Sequence, residues 1–451
     1  MSIGQKAELL VERMGQAGDG VARLPDGRLA FVAGALPGER VSAQVTEERR
    51  NFVRARVMTV LEPAAERMQP RCSIFEACGG CSFQHWHYEA ELKYKESRVR
   101  DAVERIAHLD GHLVDAIRPA PNPFGYRNKG QFPAGGEAGN LVLGLYRRGT
   151  HSLVPTEVCD IQDAGINQVL AGVQQILNQY GVEPYDEGRD QGVLRHVVIR
   201  WSSALRAALV LLVVRRNEAV LGPVAAEIMR LMPQVRGVGM NLNDDKTNRI
   251  LGTETRLLAG DAHIADTILG LTFRLSFTSF FQVNPQQVAV LYGTALGFLE
   301  ADAGEVWDLY SGVGTLASLA AKRAKRVRAL EMNPAAVADA KRNFSENGLT
   351  NIEVDVGRVE DLIGRWVRAE KDPPQAVIVD PPRAGLDAEV VRQLMNLQSP
   401  QIIYISCNPE TWARDLDAFK ARYQLQQAVP VDMFPRTDHV EVASLLSLAT
   451  S

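Results

Sequence analysis

The chain has 451 residues, of which 46% are hydrophobic and 23% charged, and its formal net charge is −4 at pH 7. These values are ordinary for a soluble protein of roughly two to four domains. They exclude a globally basic nucleic-acid binder, so any RNA surface must be a local patch. No apolar run approaches the ~18 residues that a membrane-spanning helix needs, and the N-terminus lacks a signal-peptide layout. We therefore expect a cytoplasmic protein, monomeric by default and without membrane contact.

Residues 1–62 carry five short segments rich in β-forming residues, separated by turn signals. Strands of this number and length fit a small OB-like barrel, a fold common among nucleic-acid binders. A barrel that binds no ligand is the alternative. Around Phe52, four cations add charge to an aromatic face, as single-stranded RNA requires: Arg49, Arg50, Arg54 and Arg56.

Residues 63–270 mix helical and strand patterns, which predicts an α+β central domain. Helical spacing covers residues 85–109, where Glu91 and Lys95 are one turn apart and can pair. This helix can pack on the C-terminal domain. Two glycines in a later apolar stretch predict a turn there: Gly237 and Gly239.

Four cysteines of this central segment form a possible ligand set: Cys72, Cys78, Cys81 and Cys159. Clustered cysteines in a cytoplasmic protein favour metal or redox chemistry over disulfides. Four thiolates suit either tetrahedral zinc or an iron–sulfur cluster, and the spacing by itself leaves both open.

Residues 271–451 alternate between strand and helix patterns. This alternation predicts a doubly wound, mostly parallel α/β sheet of the Rossmann-like type. Ligands of such sheets bind at the carboxyl ends of the strands, and the polar motifs of this segment all follow predicted strands.

A glycine-containing turn, residues 308–315, ends one of these strands and begins a helix. Gly312 and Gly314 allow a ligand to approach the backbone, and Glu331 ends the next strand, where a carboxylate can bind ribose hydroxyls. The third glycine of the dinucleotide fingerprint is absent. The pattern therefore favours S-adenosylmethionine over a nicotinamide dinucleotide.

A second motif, residues 380–385, follows a buried strand and contains Pro381 and Pro382, which stiffen the loop. Amino-group methyltransferases have an aromatic residue in the comparable loop, whereas this chain has Arg383. Methyl transfer to nitrogen is therefore disfavoured. A merely stiff turn is the alternative interpretation.

Cys407 follows a predicted strand and is the candidate nucleophile. A thiolate that adds to C6 of uracil makes C5 nucleophilic enough to take a methyl group, and a base must then remove the C5 proton. Glu441 is the candidate base, with His439 close to it in sequence. Because the proline-containing loop has no second cysteine, uridine is favoured over cytidine as the target. A single buried cysteine can also be inert.

Together, these motifs resemble those of the RNA uracil-5-methyltransferases over essentially the whole chain, including residues 280–284, 406–415 and 434–441. The resemblance implies a TRAM domain at residues 1–62, a central domain at residues 63–270 and a class I methyltransferase domain at residues 271–451. It also implies that the four central cysteines ligate a [4Fe-4S] cluster, with zinc as the alternative.

The resemblance further implies that Cys407 is the nucleophile and Glu441 the base. The residues implied to hold S-adenosylmethionine are Gln282, Tyr310, Thr315, Glu331 and Asp380. One departure from the family pattern is at residues 356–359, where an Asp or Asn often meets the adenosine. The branch that combines TRAM and cluster mainly methylates 23S rRNA. The alternatives are the same chemistry on the tRNA T-loop and a non-catalytic RNA-binding assembly factor.

Overall fold

The computed structural model describes residues 2–369 and 371–449. Its N-terminal part is a closed barrel with the strand order β1-β2-β3-β5-β4. Alternating apolar residues such as Val11, Val32 and Val53 fill the barrel interior. The predicted five-stranded barrel is thus confirmed, with these strands: β1 (Lys6–Met14), β2 (Gly20–Arg23), β3 (Leu29–Ala33), β4 (Arg40–Glu48) and β5 (Phe52–Glu62).

Helix α1 (Tyr88–Arg105) follows a largely irregular segment that contains three of the cysteines. Val99 and Val103 on one face of α1 join a core that includes Trp307 and Trp412 from the C-terminal part of the chain. The helix predicted over residues 85–109 therefore forms and packs against the C-terminal sheet.

The central part is a seven-stranded sheet with the order β12-β11-β10-β9-β6-β7-β8. Every residue of β9 and β10 is buried, because both faces of these central strands are covered. Its strands and helices are β6 (Lys129–Glu137), β7 (Asn140–Tyr146), β8 (Leu153–Pro155), α2 (Ala164–Gln179), β9 (Leu194–Ser202), β10 (Ala207–Val214), α3 (Leu221–Leu231), β11 (Val235–Leu242) and β12 (Glu254–Gly260).

The turn predicted at Gly237 and Gly239 is wrong, because both glycines lie inside strand β11. Close packing explains them. A Cβ atom on Gly237 would lie 1.8 Å from the carbonyl oxygen of Asp261, and one on Gly239 would lie 2.9 Å from the ring of Phe277. These glycines therefore allow segments beyond the strands to approach β11 closely.

The C-terminal part contains a second seven-stranded sheet, with the order β17-β16-β15-β18-β19-β21-β20. Strands β15 to β19 are parallel, and β21 runs antiparallel to both of its neighbours. The predicted doubly wound sheet is thus confirmed. Within the described residues no helix is long and apolar enough to cross a membrane.

A hairpin and a helix precede this sheet: β13 (His263–Ile268), β14 (Leu271–Ser276) and α4 (Pro285–Gly297). The sheet and its helices are β15 (Ala303–Leu309), α5 (Thr315–Ala320), β16 (Ala324–Glu331), α6 (Pro334–Glu346), β17 (Ile352–Val356), α7 (Val359–Ala369), β18 (Ala376–Val379), α8 (Ala388–Leu397), β19 (Gln401–Ser406), α9 (Pro409–Phe419), β20 (Tyr423–Val431) and β21 (Glu441–Leu448). Helices α4, α5 and α6 cover one face, and α1, α7, α8 and α9 cover the other.

Candidate active site

A cavity of about 530 Å³ opens at the carboxyl edge of the C-terminal sheet. Residues from the glycine turn, the proline-containing loop and the ends of β19 and β21 line it, as expected for a doubly wound sheet. The structure brings together all seven residues that the sequence suggested for catalysis and donor binding. They are Gln282, Tyr310, Thr315, Glu331, Asp380, Cys407 and Glu441.

The turn between β15 and α5 needs its glycines. Gly312 has φ 57° and Gly314 has φ 77°, both in the left-handed region. A Cβ atom on Gly314 would also lie 2.5 Å from the ring of Phe344. Tyr310 shares the positive φ, at 67°, although it is not a glycine, and its hydroxyl donates to Glu360 at 3.1 Å. The positive φ values at these three residues therefore fix the path of the turn, which lines the cavity.

Glu331 ends β16 next to this turn, because β15 and β16 pair in parallel up to Leu309 and Leu330. One of its carboxylate oxygens accepts a hydrogen bond from the Gly312 N–H at 3.0 Å, and the other accepts from the Asn333 N–H at 2.8 Å. The carboxylate is therefore fixed at the cavity wall, where it can accept hydrogen bonds from the hydroxyls of a ribose.

Asp308 is a buried carboxyl that the sequence interpretation left without a role. Within the described part of the chain neither of its oxygens has a well-aligned donor, although the Ala317 N–H lies close enough to favour the ionised form. Burial raises its pKa well above the usual value, as do the nearby charges of Asp380 and Glu331. An acidic residue directly before a glycine turn was the signal available in the sequence.

Cys407 lies between the end of β19 and the N-terminus of α9, where Asn408 caps the helix. The antiparallel register pairs Ser406 with Val442, so the next residues, Cys407 and Glu441, are neighbours at the same edge. Burial, together with the nearby charges of Glu441 and Asp380, raises the pKa of the Cys407 thiol to about 11. The Arg383 guanidinium acts in the opposite direction and favours the thiolate.

Glu441 is 3% exposed and projects into the cavity. Burial raises its pKa well above the usual value, the nearby Asp380 raises it further, and Arg383 lowers it. Burial also raises the pKa of Asp380 to about 7. A carboxylate with a raised pKa is a stronger base than an exposed one, which suits removal of a proton from carbon.

His439, the other residue suggested as a base, has different surroundings. Its Nε2 atom lies 3.2 Å from the Arg383 guanidinium, and its ring meets the edge of Phe434 at a centroid distance of 5.9 Å. Burial lowers its pKa. His439 does not line the cavity, whereas Glu441 does. The geometry therefore favours Glu441.

The four central cysteines line a second cavity, of about 370 Å³. All four are free thiols. In the described part of the chain no group of three or more His, Cys, Asp or Glu side chains stands at metal-ligand spacing. The same cavity also contains two basic side chains, Arg127 and Lys129; burial and nearby arginines lower the pKa of Lys129 to about 7.

Each of these four sulfurs nonetheless has N–H donors nearby. The Gly80 N–H donates to Cys78 Sγ at 3.3 Å, and the Gln84 side chain donates to Cys81 Sγ at 3.4 Å. Burial raises the pKa of both the Cys72 and the Cys159 thiols, and backbone N–H groups offset part of that rise. Hydrogen bonds to sulfur stabilise thiolate ligands. Such donors suit bound thiolates, but in the described residues the four side chains do not stand at metal-ligand spacing.

The basic residues around Phe52 in the barrel are partly paired with acidic neighbours. The Phe52 ring packs edge-on against Phe31 at 5.5 Å, with the Arg54 guanidinium 6.0 Å above Phe52. Arg54 also pairs with Asp19 at 3.6 Å, and Arg49 with Glu47 at 2.6 Å. Charge and aromatic surface do coincide here, but acidic neighbours reduce the net positive field.

Comparison with known families and proteins agrees with this geometry. The model of the tRNA (uracil-5-)-methyltransferase family matches residues 367–449, and that of the TRAM domain matches residues 2–58. An RNA methyltransferase of Halalkalibacterium halodurans is 37% identical over 98% of this chain and 96% of its own length. One of Caldanaerobacter subterraneus is 37% identical over 99% of both chains.

The chain belongs to the RNA uracil-5-methyltransferase family. It is an RNA methyltransferase. In fold it is similar to the Pyrococcus abyssi tRNA (uracil-54, C5)-methyltransferase solved with S-adenosyl-L-homocysteine. That comparison has a TM-score of 0.78 and 23% identity, and it covers 98% of this chain and 100% of the other.

Proposed function

We propose that this enzyme methylates C5 of a specific uridine in 23S rRNA, with Cys407 as nucleophile and Glu441 as base. The observation that carries the proposal is their adjacency. Both residues project into one cavity together with the residues suggested for the methyl donor. Neighbouring antiparallel strands hold them there.

The Cys407 thiolate adds to C6 of the uracil, which forms a carbon–sulfur bond and moves electron density to C5. C5 attacks the methyl group of S-adenosylmethionine, the bond between the methyl carbon and the sulfonium sulfur breaks, and S-adenosylhomocysteine leaves. Glu441 then accepts the C5 proton, the C5–C6 double bond re-forms, and the bond from C6 to Cys407 breaks. Asp380 and the glycine turn hold the donor, and the target base is flipped out of its stack to reach the cavity.

The rRNA assignment is supported by the coexistence of a TRAM barrel with a four-cysteine set, the combination that the resemblance associates with 23S rRNA. The same chemistry on a tRNA uridine is the second candidate. It is favoured by the similarity in fold to the P. abyssi enzyme, which is a tRNA (uracil-54, C5)-methyltransferase. The barrel and the central domain grip RNA through stacking and phosphate contacts in either case.

Methyl transfer to two RNAs, assayed side by side, tests the substrate. Labelled S-adenosylmethionine is offered with unmodified 23S rRNA and with unmodified tRNA, and the nucleosides are then analysed. We expect 5-methyluridine in the 23S sample alone. Label in tRNA alone would overturn the substrate and keep the chemistry. Label in neither RNA would point to a missing cluster or to a substrate in another assembly state, and would reopen the non-catalytic assembly factor.

We also propose that the four central cysteines hold a [4Fe-4S] cluster with a structural role. The N–H donors around their sulfurs support this, as does the Arg127 guanidinium in the same cavity, because a four-thiolate cluster is anionic. Zinc is the alternative ligand. The cluster would hold residues 72–81 and Cys159 together across the central domain.

Anaerobically purified protein should contain about four iron atoms per chain and absorb visible light. Cys81→Ser should lose most of this iron and unfold at a lower temperature, whereas Cys407→Ala should keep it. Metal analysis and melting curves give both results without an activity assay. A colourless protein that contains zinc would contradict the cluster.

We further propose that the enzyme acts as a monomer in the cytoplasm. One chain supplies every residue of the proposed nucleophile, base and donor set. Size-exclusion chromatography with light scattering tests the oligomeric state.

A further inference from the structure

The connection between β20 and β21, residues 432–440, leads directly to the proposed base. Val431 at the end of β20 pairs with Glu441 at the start of β21, so the two ends of the connection are neighbours. Phe434 within it lines the catalytic cavity. The path of this connection therefore determines where the Glu441 carboxylate lies.

Lys95 of helix α1 anchors this connection from outside the methyltransferase sheet. Its side chain is completely buried. Its Nζ atom donates to Asp432 at 2.6 Å, to Glu91 at 2.7 Å and to the Phe434 carbonyl at 3.1 Å. All three donor positions of the ammonium group are thus used, two of them on the connection itself.

Asp432 is held from two further directions. Its other carboxylate oxygen accepts from the Tyr88 hydroxyl at 2.6 Å, and its backbone carbonyl accepts from the Gln287 side chain at 2.9 Å. The Tyr88 hydroxyl in turn accepts from the Ala120 N–H at 2.8 Å. Groups from α1 and α4 therefore bind Asp432 directly, and the segment after α1 reaches it through the Tyr88 hydroxyl.

Arg436 links the connection to the irregular segment that contains Cys72, Cys78 and Cys81. It has φ 68°, a strained value for a residue other than glycine. Its N–H donates to Glu91 at 2.7 Å, and its carbonyl accepts from the N–H groups of Ser82 at 2.8 Å and Phe83 at 3.0 Å. These two residues follow Cys81 directly. Interactions on both sides of the peptide hold the strained conformation.

Stability alone does not explain such a cluster. Two buried cations and two buried anions balance in charge: Lys95, Arg436, Glu91 and Asp432. Apolar residues of similar volume often stabilise a core as well as a buried ion pair does, whereas charges with directed hydrogen bonds impose one geometry. The cluster imposes that geometry on the connection that leads to Glu441.

We propose that Lys95 and Asp432 are positioning residues, which hold the connection so that Glu441 reaches the C5 proton of the covalent adduct. The inference rests on the proposed role of Glu441 as base. It assigns to a helix outside the methyltransferase sheet a part in the second half of the reaction, namely proton removal and release of the product. Formation of the adduct, which needs Cys407, should depend on the cluster much less.

Lys95→Met tests this assignment through the partition between adduct and product. We expect covalent enzyme–RNA adduct, resistant to denaturant, to form at a rate within about threefold of the unmodified enzyme. Its resolution should slow on the order of 10- to 100-fold, since base catalysis is sensitive to placement. The adduct should therefore accumulate during turnover. The KM for S-adenosylmethionine should not change.

Tyr88→Phe perturbs the cluster less than Lys95→Met does, because it removes one hydrogen bond to Asp432 and leaves all four charges. It should shift the partition in the same direction by a few-fold. Lys93→Met is the matched control, since Lys93 is an exposed lysine on the same helix, and it should partition normally.

Parallel loss of adduct and product in Lys95→Met, together with a normal partition in Tyr88→Phe, would overturn the assignment and leave a purely structural cluster. Glu441→Gln serves as the reference in the same assay. If Glu441→Gln traps adduct and neither Lys95→Met nor Tyr88→Phe does, only the positioning role fails. If it does not trap adduct, the proposed base fails and the positioning role with it.

Discussion

Replacing Cys407 with alanine should reduce methyl transfer by about 10³-fold or more, the scale at which removal of a nucleophile acts. The side chain projects into the catalytic cavity. Because alanine fills the same half-buried position without strain, RNA binding and the melting temperature should change little. Transfer of labelled methyl to RNA measures the loss, and gel analysis after treatment with 5-fluorouridine RNA should show no covalent adduct.

Unmodified enzyme should form the 5-fluorouridine adduct faster as the pH rises. Burial, Glu441 and Asp380 raise the pKa of the Cys407 thiol to about 11, so the reactive thiolate is the minor form at neutral pH and increases with each step upward. A pH-independent rate would argue against rate control by this ionisation. Appreciable turnover by Cys407→Ala would exclude the covalent route altogether.

Glu441→Gln should trap the methylated adduct, whereas Cys407→Ala should form none. Glutamine keeps the shape of the buried side chain but cannot accept the C5 proton, so the step after methyl transfer should slow by roughly 10²- to 10⁴-fold. The charge of Glu441 raises the pKa of the Cys407 thiol, so its removal should also let the adduct form at lower pH. Labelled methyl should therefore remain on RNA that migrates with the protein in a denaturing gel.

Glu353→Gln is the matched control for this change, because Glu353 carries a carboxylate with 67% exposure on strand β17, away from the cavity. It should turn over normally. Release of product by Glu441→Gln at the normal rate would show that another group takes the proton. Adduct trapped instead by His439→Asn would identify His439 as that group.

These experiments separate the two halves of the reaction. In the proposed mechanism Cys407 begins the reaction and Glu441 completes it. The charge cluster around Lys95 is proposed to place Glu441. If the cluster acts as proposed, the segment after Cys81 is also part of the support for the base, through the hydrogen bonds of Ser82 and Phe83 to Arg436. Loss of the proposed [4Fe-4S] cluster should then affect resolution of the adduct more than its formation.

Local chemistry explains what the sequence by itself determined. Turn residues and alternating apolar residues specify the barrel, because strand periodicity and turn chemistry act over a few neighbours. The glycine turn is equally local, since Gly312 and Gly314 adopt left-handed conformations beside the end of a strand. The motifs around Cys407 and Asp380 therefore predicted a cavity at the carboxyl edge of the sheet, and the structure has that cavity.

Contacts between distant segments decided the rest. Cys407 and Glu441 become neighbours only through the antiparallel register of β19 and β21, which depends on pairing across the sheet. Gly237 and Gly239 indicate a turn in the sequence but lie in a strand, since distant residues pack against them. The pair Glu91 and Lys95 has the spacing of an exposed helical ion pair, and only packing of the connection against α1 makes it a buried anchor. Burial changes the role of a charge, and burial is a property of the tertiary structure.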